Sequence, residues 1–406
     1  MRAPRAVAGL PRAFWVLWAG TLINRLGTMV QPFLALYLTR VRHVSLAGTG
    51  GVLTVWAVGS LISQPVAGVL ADRIGRRATL AGGTLLAGAA MVALGYSRGL
   101  AVIVPIVFVL GLAIDAFRPA SNAIVADIVP AEERPRAFGL LFWAVNLGFS
   151  VAVIAGGWLA GHAAVWLFWT DAVTSVMFGL LVWRAVPETR SGLGKELPGG
   201  LLDVGRDRLM MAYVGVSIAY AVVYLQTLVG LPLAMKLSGR SPAQFGLVIA
   251  LNGVLIVLLQ PAISARLARR DHSRVLAGGM ALVGAGFGLT ALASGVLSYA
   301  LTIVVWTAGE IVVSSVGATI VADLAPAHMR GRYNGVYGLA WGMAGLLAPT
   351  LSTRLLALNH WSLWVACAAL CGGASLAQLA IAPGVRERSH GAAPVAAAPA
   401  RAQAGP

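Results

Sequence analysis

The chain has 406 residues, with 30 Lys and Arg against 14 Asp and Glu for a net charge of +16; 58% of residues are hydrophobic and 11% are charged. Soluble proteins are roughly a quarter charged, so this chain cannot clothe a water-soluble globule, and a mean hydropathy of +0.82 marks an integral membrane protein. Two Cys and no glycine period exclude a disulfide scaffold or a collagen, and the apolar content excludes a disordered chain.

A helix needs about 20 mostly apolar residues to cross roughly 30 Å of hydrocarbon. Such runs lie at 14–38, 49–71, 78–96, 101–127, 137–160, 165–186, 209–235, 243–265, 275–293, 297–323, 333–357 and 361–382, twelve in all. Alternating ten-residue strand patterns of a membrane barrel are absent from the sequence. The first run is too long for the core of a secretion signal and is read as an uncleaved span. The expected layout is a cytoplasmic N-terminus at 1–13, a six-helix bundle at 14–186, a cytoplasmic loop at 187–208, a second six-helix bundle at 209–382 and a disordered cytoplasmic tail at 383–406.

The charge encodes topology. With the N-terminus inside, 22 basic residues fall in inside segments and six outside, namely Arg40, Arg42, Arg98, Lys236, Arg240 and Arg354. That bias follows the positive-inside rule, places both termini in the cytoplasm and argues against a nucleic-acid partner. Trp15, Trp166 and Trp361 fall near span ends, where amphipathic rings favour the interface.

Along the chain, the rarest residues are charges at mid-span, each costing about 2.5–3.5 kcal/mol on insertion scales. They are Arg25 in the first span, Asp115 and Arg118 in the fourth and Glu310 in the tenth. Asp115, Arg118 and Asn122 are spaced to share one helix face. Pro119 removes the backbone donor for the carbonyl of Asp115, and Pro32 does the same for Thr28. These charges either neutralise one another and fix packing, with Asp115 on Arg118 and Arg25 on Glu310 or Asp115, or they exchange protons and bind substrate. Asp171, beside Trp166 and Trp169, reads as a residue of the outer mouth.

An internal repeat sets the architecture. Gln64-Pro65 recurs at Gln260-Pro261, Leu80–Gly83 at Leu276–Gly279, and Ala123–Ala137 at Thr319–Tyr333, all offset by 196; the third pair is identical at eight of fifteen positions, including Asp127/Asp323, Arg134/Arg330 and Arg136/Arg332. Six crossings return the chain to its starting side, so the halves are parallel repeats about an axis along the membrane normal, with a substrate site expected between them near the midplane.

Residues 68–80, G-V-L-A-D-R-I-G-R-R-A-T-L, match the G-x-L-a-D-r-x-G-r-[kr]-x-x-l signature between spans two and three, so the chain resembles the major facilitator superfamily over nearly its whole length. The resemblance implies an all-α, twelve-helix fold of two six-helix pseudo-symmetric bundles, carrying a small-molecule substrate by alternating access. It implies that Gly68, Asp72, Arg73, Gly75, Arg76 and Arg77 form a gating latch with Asp127, and that Asp323, Arg330 and Arg332 are a weaker second-half copy. The stretch Asn24, Arg25, Gly27 and Pro32 resembles the drug:proton antiporter branch. That branch often carries g-x-x-x-G-P-x-x-G-G in span five; here Gly148–Gly157 reads G-F-S-V-A-V-I-A-G-G, with Ala152 and Val153 in place of the Gly-Pro pair. Gly148, Ala152 and Gly156 still make a small-residue stripe for close helix approach.

The expectation is therefore a monomeric, multi-pass cell-membrane transporter that exports a small amphipathic molecule or drug, coupled to protons through Asp115 or Glu310, with Arg25 and Arg118 lowering the pKa of that acid or binding an anionic group and Asn122 in the same cavity. Its other surroundings are the lipid bilayer and a small-molecule substrate. A metabolite importer or uniporter, and a non-transporting receptor on the same fold, are the rival readings. No cofactor or metal is expected: the six His have no ligand spacing, Cys367 and Cys371 read as packing, and Gly284, Gly286 and Gly288 lie inside a span rather than after a strand. No nucleophile, base and orienting acid can be assembled, so an enzyme is not expected.

Overall fold

The computed structural model describes residues 9–162, 165–190, 199–267 and 270–391. Expectations that touch the first eight residues, Lys195, Arg269 or the tail beyond Gly391 lie outside the described residues.

The described chain runs through α1 (Arg12–Leu26), α2 (Val30–Leu36), α3 (Leu46–Arg73), α4 (Arg76–Tyr96), α5 (Leu100–Asp115), α6 (Phe117–Ile128), α7 (Arg134–His162) and α8 (Val165–Ala185) in its first half. The second half follows with α9 (Leu201–Arg206), α10 (Arg208–Tyr224), α11 (Gly230–Leu237), α12 (Pro242–Leu267), α13 (His272–Leu289), α14 (Val296–Leu324), α15 (Arg330–Leu358) and α16 (Ser362–Gly391). Among the described residues, nine spans are long and apolar enough to cross a membrane by that measure alone. The first span, split into α1 and α2, and the Gly-bearing α7 and α15 complete the twelve-helix arrangement.

Three spans are broken where the sequence withholds backbone hydrogen bonds. The first breaks at Gly27–Met29, ahead of Pro32, which cannot donate to the carbonyl of Thr28. The seventh breaks between Tyr224 and Gly230, just after the repeat positions of the first break. The fourth breaks at Ala116, because Pro119 has no N–H for Asp115. The repeat position of Pro119 is Ser315, and α14 there runs unbroken for 29 residues.

The halves meet along two related seams. α3 packs on α15, α7 packs on α12 and α14, and α6 also reaches α15. Each half has its own apolar core, around Val107 and Phe168 or Phe14 and Phe178 in the first and around Phe287 and Trp306 in the second. Large apolar side chains such as Leu86, Leu258, Leu297 and Leu376 remain exposed, as lipid-facing residues must. The Gly148 and Gly156 stripe packs on the first span, where a Cβ on Gly148 would lie 2.5 Å from Arg25 Cβ and one on Gly156 would lie 2.8 Å from Phe33.

One boundary needs correction. The tail does not begin at Pro383: α16 stays helical to Gly391. Arg388 pairs with Asp207 and Arg386 with Asp271, and these ion pairs fasten the helix end to the starts of α10 and α13.

Candidate functional site: an inter-half latch and a mid-depth polar path

The turn between α3 and α4 owes its shape to Gly75, whose φ of +115° only glycine adopts without strain. It leaves Asp72 on the last turn of α3 and Arg76 as the first residue of α4. Gly68, one turn earlier, lies against the partner half so closely that a Cβ would come within 2.4 Å of the Gly331 carbonyl oxygen. That contact brings Asp72 to the start of α15. Its carboxylate accepts from the backbone N–H groups of Gly331 at 2.9 Å and Arg332 at 2.8 Å, with the Arg332 guanidinium 3.4 Å away. First-turn N–H groups have no intrahelical partner and carry partial positive charge, so a carboxylate is the natural cap.

Arg76 is fully buried, with its Nε 3.2 Å from Asp127 and its Nη2 3.6 Å from Asp72 and 2.7 Å from the Ala327 carbonyl of the other half. Asp127 stands at the end of α6, where helix carbonyls disfavour an acid. Two cations compensate it, Arg76 and Arg330, while the Thr189 hydroxyl donates to it at 2.7 Å. Glu188 accepts from the N–H groups of Arg76 at 2.8 Å and Arg77 at 3.2 Å, so the segment after α8 caps α4.

The second-half copy differs from expectation. Asp323 does not pair with Arg330 or Arg332. It pairs with Arg134 at 3.0 Å and His272 at 3.4 Å, while Arg330 and Arg332 serve Asp127 and Asp72. The reason is the pseudo-two-fold axis, which sends each half's arginine to the other half's aspartate. Two members expected in the network are outside it. Arg73 is exposed and Arg77 lies over the Trp183 ring at 4.9 Å; neither makes an ion pair among the described residues. Glu188, Thr189, Arg134 and His272 were missed, although Arg134 was recoverable as the repeat mate of Arg330.

The repeat is also incomplete at the capping contact. The position equivalent to Gly331 is Pro135, which has no N–H, and the position equivalent to Asp72 is Ala268, which has no carboxylate and lies outside the described residues.

At mid-depth the neutralising pairs do not form. Among the described residues, Arg25, Asp115, Arg118 and Glu310 make no ion pair within 4.0 Å. Glu310, 1% exposed, accepts from Asn252 Nδ2 at 2.6 Å and bonds the Tyr224 hydroxyl. Asn252 also donates to Thr307 at 3.0 Å. Tyr224 meets Trp341 edge-on at 5.3 Å, and Trp341 lies beneath the Arg118 guanidinium at 5.1 Å. A polar path thus runs from Arg118 in one half through Trp341 and Tyr224 to Glu310 in the other.

Arg25 lies over the Phe117 ring at 5.1 Å, and its charged neighbours are Arg118, Asp115 and Asp171. A cavity of about 20 Å³, enough for a single water, is lined by Asn24, Arg25, Ile114, Asp171 and Ser175 among others. Asp115 ends α5, and the break at Ala116 separates it from Arg118 and Asn122 on α6; Asp115 and Asn122 are half-buried and Arg118 is exposed. Glu310 falls at the repeat position of Ile114, not of Asp115, so the two acids occupy different faces of their spans.

Asp171 is not at an outer mouth. It is 3% exposed inside the first half, where its carboxylate accepts the Val30 N–H at 3.3 Å. The split of the first span strands that N–H, and Asp171 answers it.

Comparison with known proteins agrees with this architecture. The family model described as Major Facilitator Superfamily matches residues 17–349 and again 209–403. A Na(+), Li(+), K(+)/H(+) antiporter of Planococcus maritimus is 25% identical over 357 residues, covering 79% of this chain and 84% of the relative. The multidrug resistance protein MdtH of Yersinia enterocolitica is 25% identical over 336 residues, covering 81% and 84%. A bacterial homologue of the iron transporter ferroportin, solved in an outward-facing state, superposes with a TM-score of 0.73 at 20% identity over 92% of this chain and 100% of that one. The human organic anion transporter MFSD10 does so with 0.72 at 16% identity over 91% and 100%.

Proposed function

Because the chain belongs to the Major Facilitator Superfamily, we propose that this membrane transporter exports a small amphipathic molecule in exchange for protons, by alternating access. The observation that carries the reading is Glu310, an acid buried beside the inter-half path with hydrogen-bond partners but no cation among the described residues. A buried acid without a counter-cation can hold or release a proton as its surroundings change. Glu310 and Asp115 carry the coupling proton, Arg118 and Arg25 sense the charge state, and Trp341 with Tyr224 offers flat apolar surface to the substrate. The latch of Asp72, Arg76, Asp127 and Arg330 holds the cytoplasmic end shut, so the carrier faces outward. The names of relatives, an antiporter and a multidrug resistance protein, support exchange and efflux. The protein acts as a monomer in the cell membrane with both termini cytoplasmic.

The test is proton movement driven by a fluorescent amphipathic dye in proteoliposomes. Glu310→Gln keeps the side chain's shape and abolishes coupled proton flux while dye binding persists, and Asp115→Asn reduces it. Unchanged coupling in both variants removes these acids from the mechanism. Dye uptake by everted vesicles only when they are acidified inside fixes the direction; proton-driven movement the other way makes the chain an importer.

A further inference from the structure

We infer that the end of the molecule opposite the latch carries a binding site for a phosphoryl group, set between the α2–α3 and α4–α5 connections. A cavity of about 480 Å³ opens there, lined by Val41, Arg42, His43, Ser45, Arg98 and Leu100 among others. Its charged lining is wholly basic. No Asp or Glu occurs in any segment joining spans at this end, which are residues 37–45, 97–99, 163–164, 238–241, 290–295 and 359–361.

Basic residues at this end oppose the topological bias of the whole chain, and three of the six that do so, Arg40, Arg42 and Arg98, fall in these two connections. Insertion alone gives no reason to gather them here. Arg42 is held in place: its Nη2 donates to the Gly95 carbonyl at 2.8 Å, and its guanidinium lies over the Tyr37 ring at 5.2 Å. Its Nε is buried without a hydrogen-bond partner among the described residues. His43 takes a φ of 52°, in the left-handed region that few non-glycine residues adopt and in which His and Asn are enriched.

The 16-residue α5 also starts in this cavity, from Gly99, whose lack of a side chain leaves the Leu100 and Ala101 N–H groups without a side-chain cap, while the Val102 N–H turns back to the Gly99 carbonyl. A fixed guanidinium, a second arginine, an imidazole and uncapped N–H groups are the donor set that binds a phosphoryl oxygen cluster. The cavity exceeds a bare phosphate, and the adjoining Val41, Leu100 and Val102 are 46%, 42% and 48% exposed. A phospholipid headgroup, its acyl chain lying along this apolar rim, fills both parts.

Native mass spectrometry of the full chain, with added phosphatidylglycerol or phosphatidylcholine, measures retained lipid. Thermal denaturation in inorganic phosphate against chloride at equal ionic strength covers the free anion. Arg98→Gln, at an exposed position, is expected to lower lipid retention about tenfold, the loss of roughly one charge-assisted bond, and Arg42→Gln more. Lys236→Gln, in the last turn of α11 at the same end, leaves it unchanged. Stabilisation of the wild type by inorganic phosphate, lost in Arg98→Gln, assigns the site to a soluble phosphoryl ligand. Equal retention in wild type and Arg98→Gln, with no phosphate effect, overturns the proposal. Should Arg42→Gln fail to fold, Arg98→Gln and His43→Asn, which tolerates the same backbone, decide it.

Discussion

Asp127 and Arg330 pair across the two halves, and their repeat mates Asp323 and Arg134 make the same pair in the opposite sense, at 3.0 Å. The two halves thus exchange charges at this end, each presenting an arginine to the other's acid. A double-mutant cycle on Asp127→Asn and Arg330→Gln, read by thermal stability, is expected to give a coupling of about 0.5–3 kcal/mol. Each single variant should also raise cysteine labelling of this end. Additive effects with no added labelling would show that the pair holds nothing shut.

Arg76 joins two acids and a carbonyl at once, which a planar fork with several donors can do and a point charge on a flexible stem cannot. Arg76→Lys is expected to open the latch nearly as much as Arg76→Ala. Full retention of the closed state in Arg76→Lys would mean that charge alone suffices.

Gly68→Ala places a methyl 2.4 Å from the Gly331 carbonyl oxygen, and backbone cannot yield there as a side chain tip would. The expected cost is about 1–3 kcal/mol, as for other overpacked contacts, and it should fall on the closed state. Gly50→Ala, where nothing lies within 4 Å, is the control. Equal melting and labelling in the two variants would contradict the close approach.

Asp171→Ala leaves the buried Val30 N–H without its acceptor and should cost about 1–3 kcal/mol. Asp171→Asn keeps an acceptor oxygen and should recover most of it. If both variants melt alike, the cap contributes nothing.

At the membrane margin, burial pushes the Asp207 carboxyl up, but hydrogen bonds from Arg388 and Tyr333 outweigh it and hold the group below its ordinary value. A depressed carboxyl adds stability that is present above its unfolded value, near 4, and fades as the pH falls through the folded value. The melting difference between wild type and Asp207→Asn should therefore be full at pH 7 and shrink below about pH 4. A difference that grows on acidification would reverse the sign.

The twelve spans and the duplication were legible because hydrophobic length and a fixed offset are properties of sequence alone. So were the helix breaks near Pro32 and Pro119, since a missing N–H has one local consequence. Asp72 and Arg76 were legible from the signature and Asp127 from the family resemblance, but their partners were not, because the crossed pairing depends on how the halves dock. Asp171 shows the limit: only the position of the break in the first span, packed against α8, tells that its carboxylate serves a stranded backbone donor. Trp341 and Tyr224, unremarkable in an apolar sequence, gain meaning only through Arg118 and Glu310 on either side.

Pro135 in the place of Gly331 makes the two borders between the halves chemically unequal. The α3/α15 seam has main-chain bonds to a carboxylate in addition to its ionic pair; among the described residues the α7/α12 seam has no such cap, and Trp143 Nε1 donates across it to the Val257 carbonyl at 2.8 Å instead. Parting the halves at the α3/α15 border therefore uncovers two backbone N–H groups that a carboxylate had satisfied, a cost the other border does not carry in the same form.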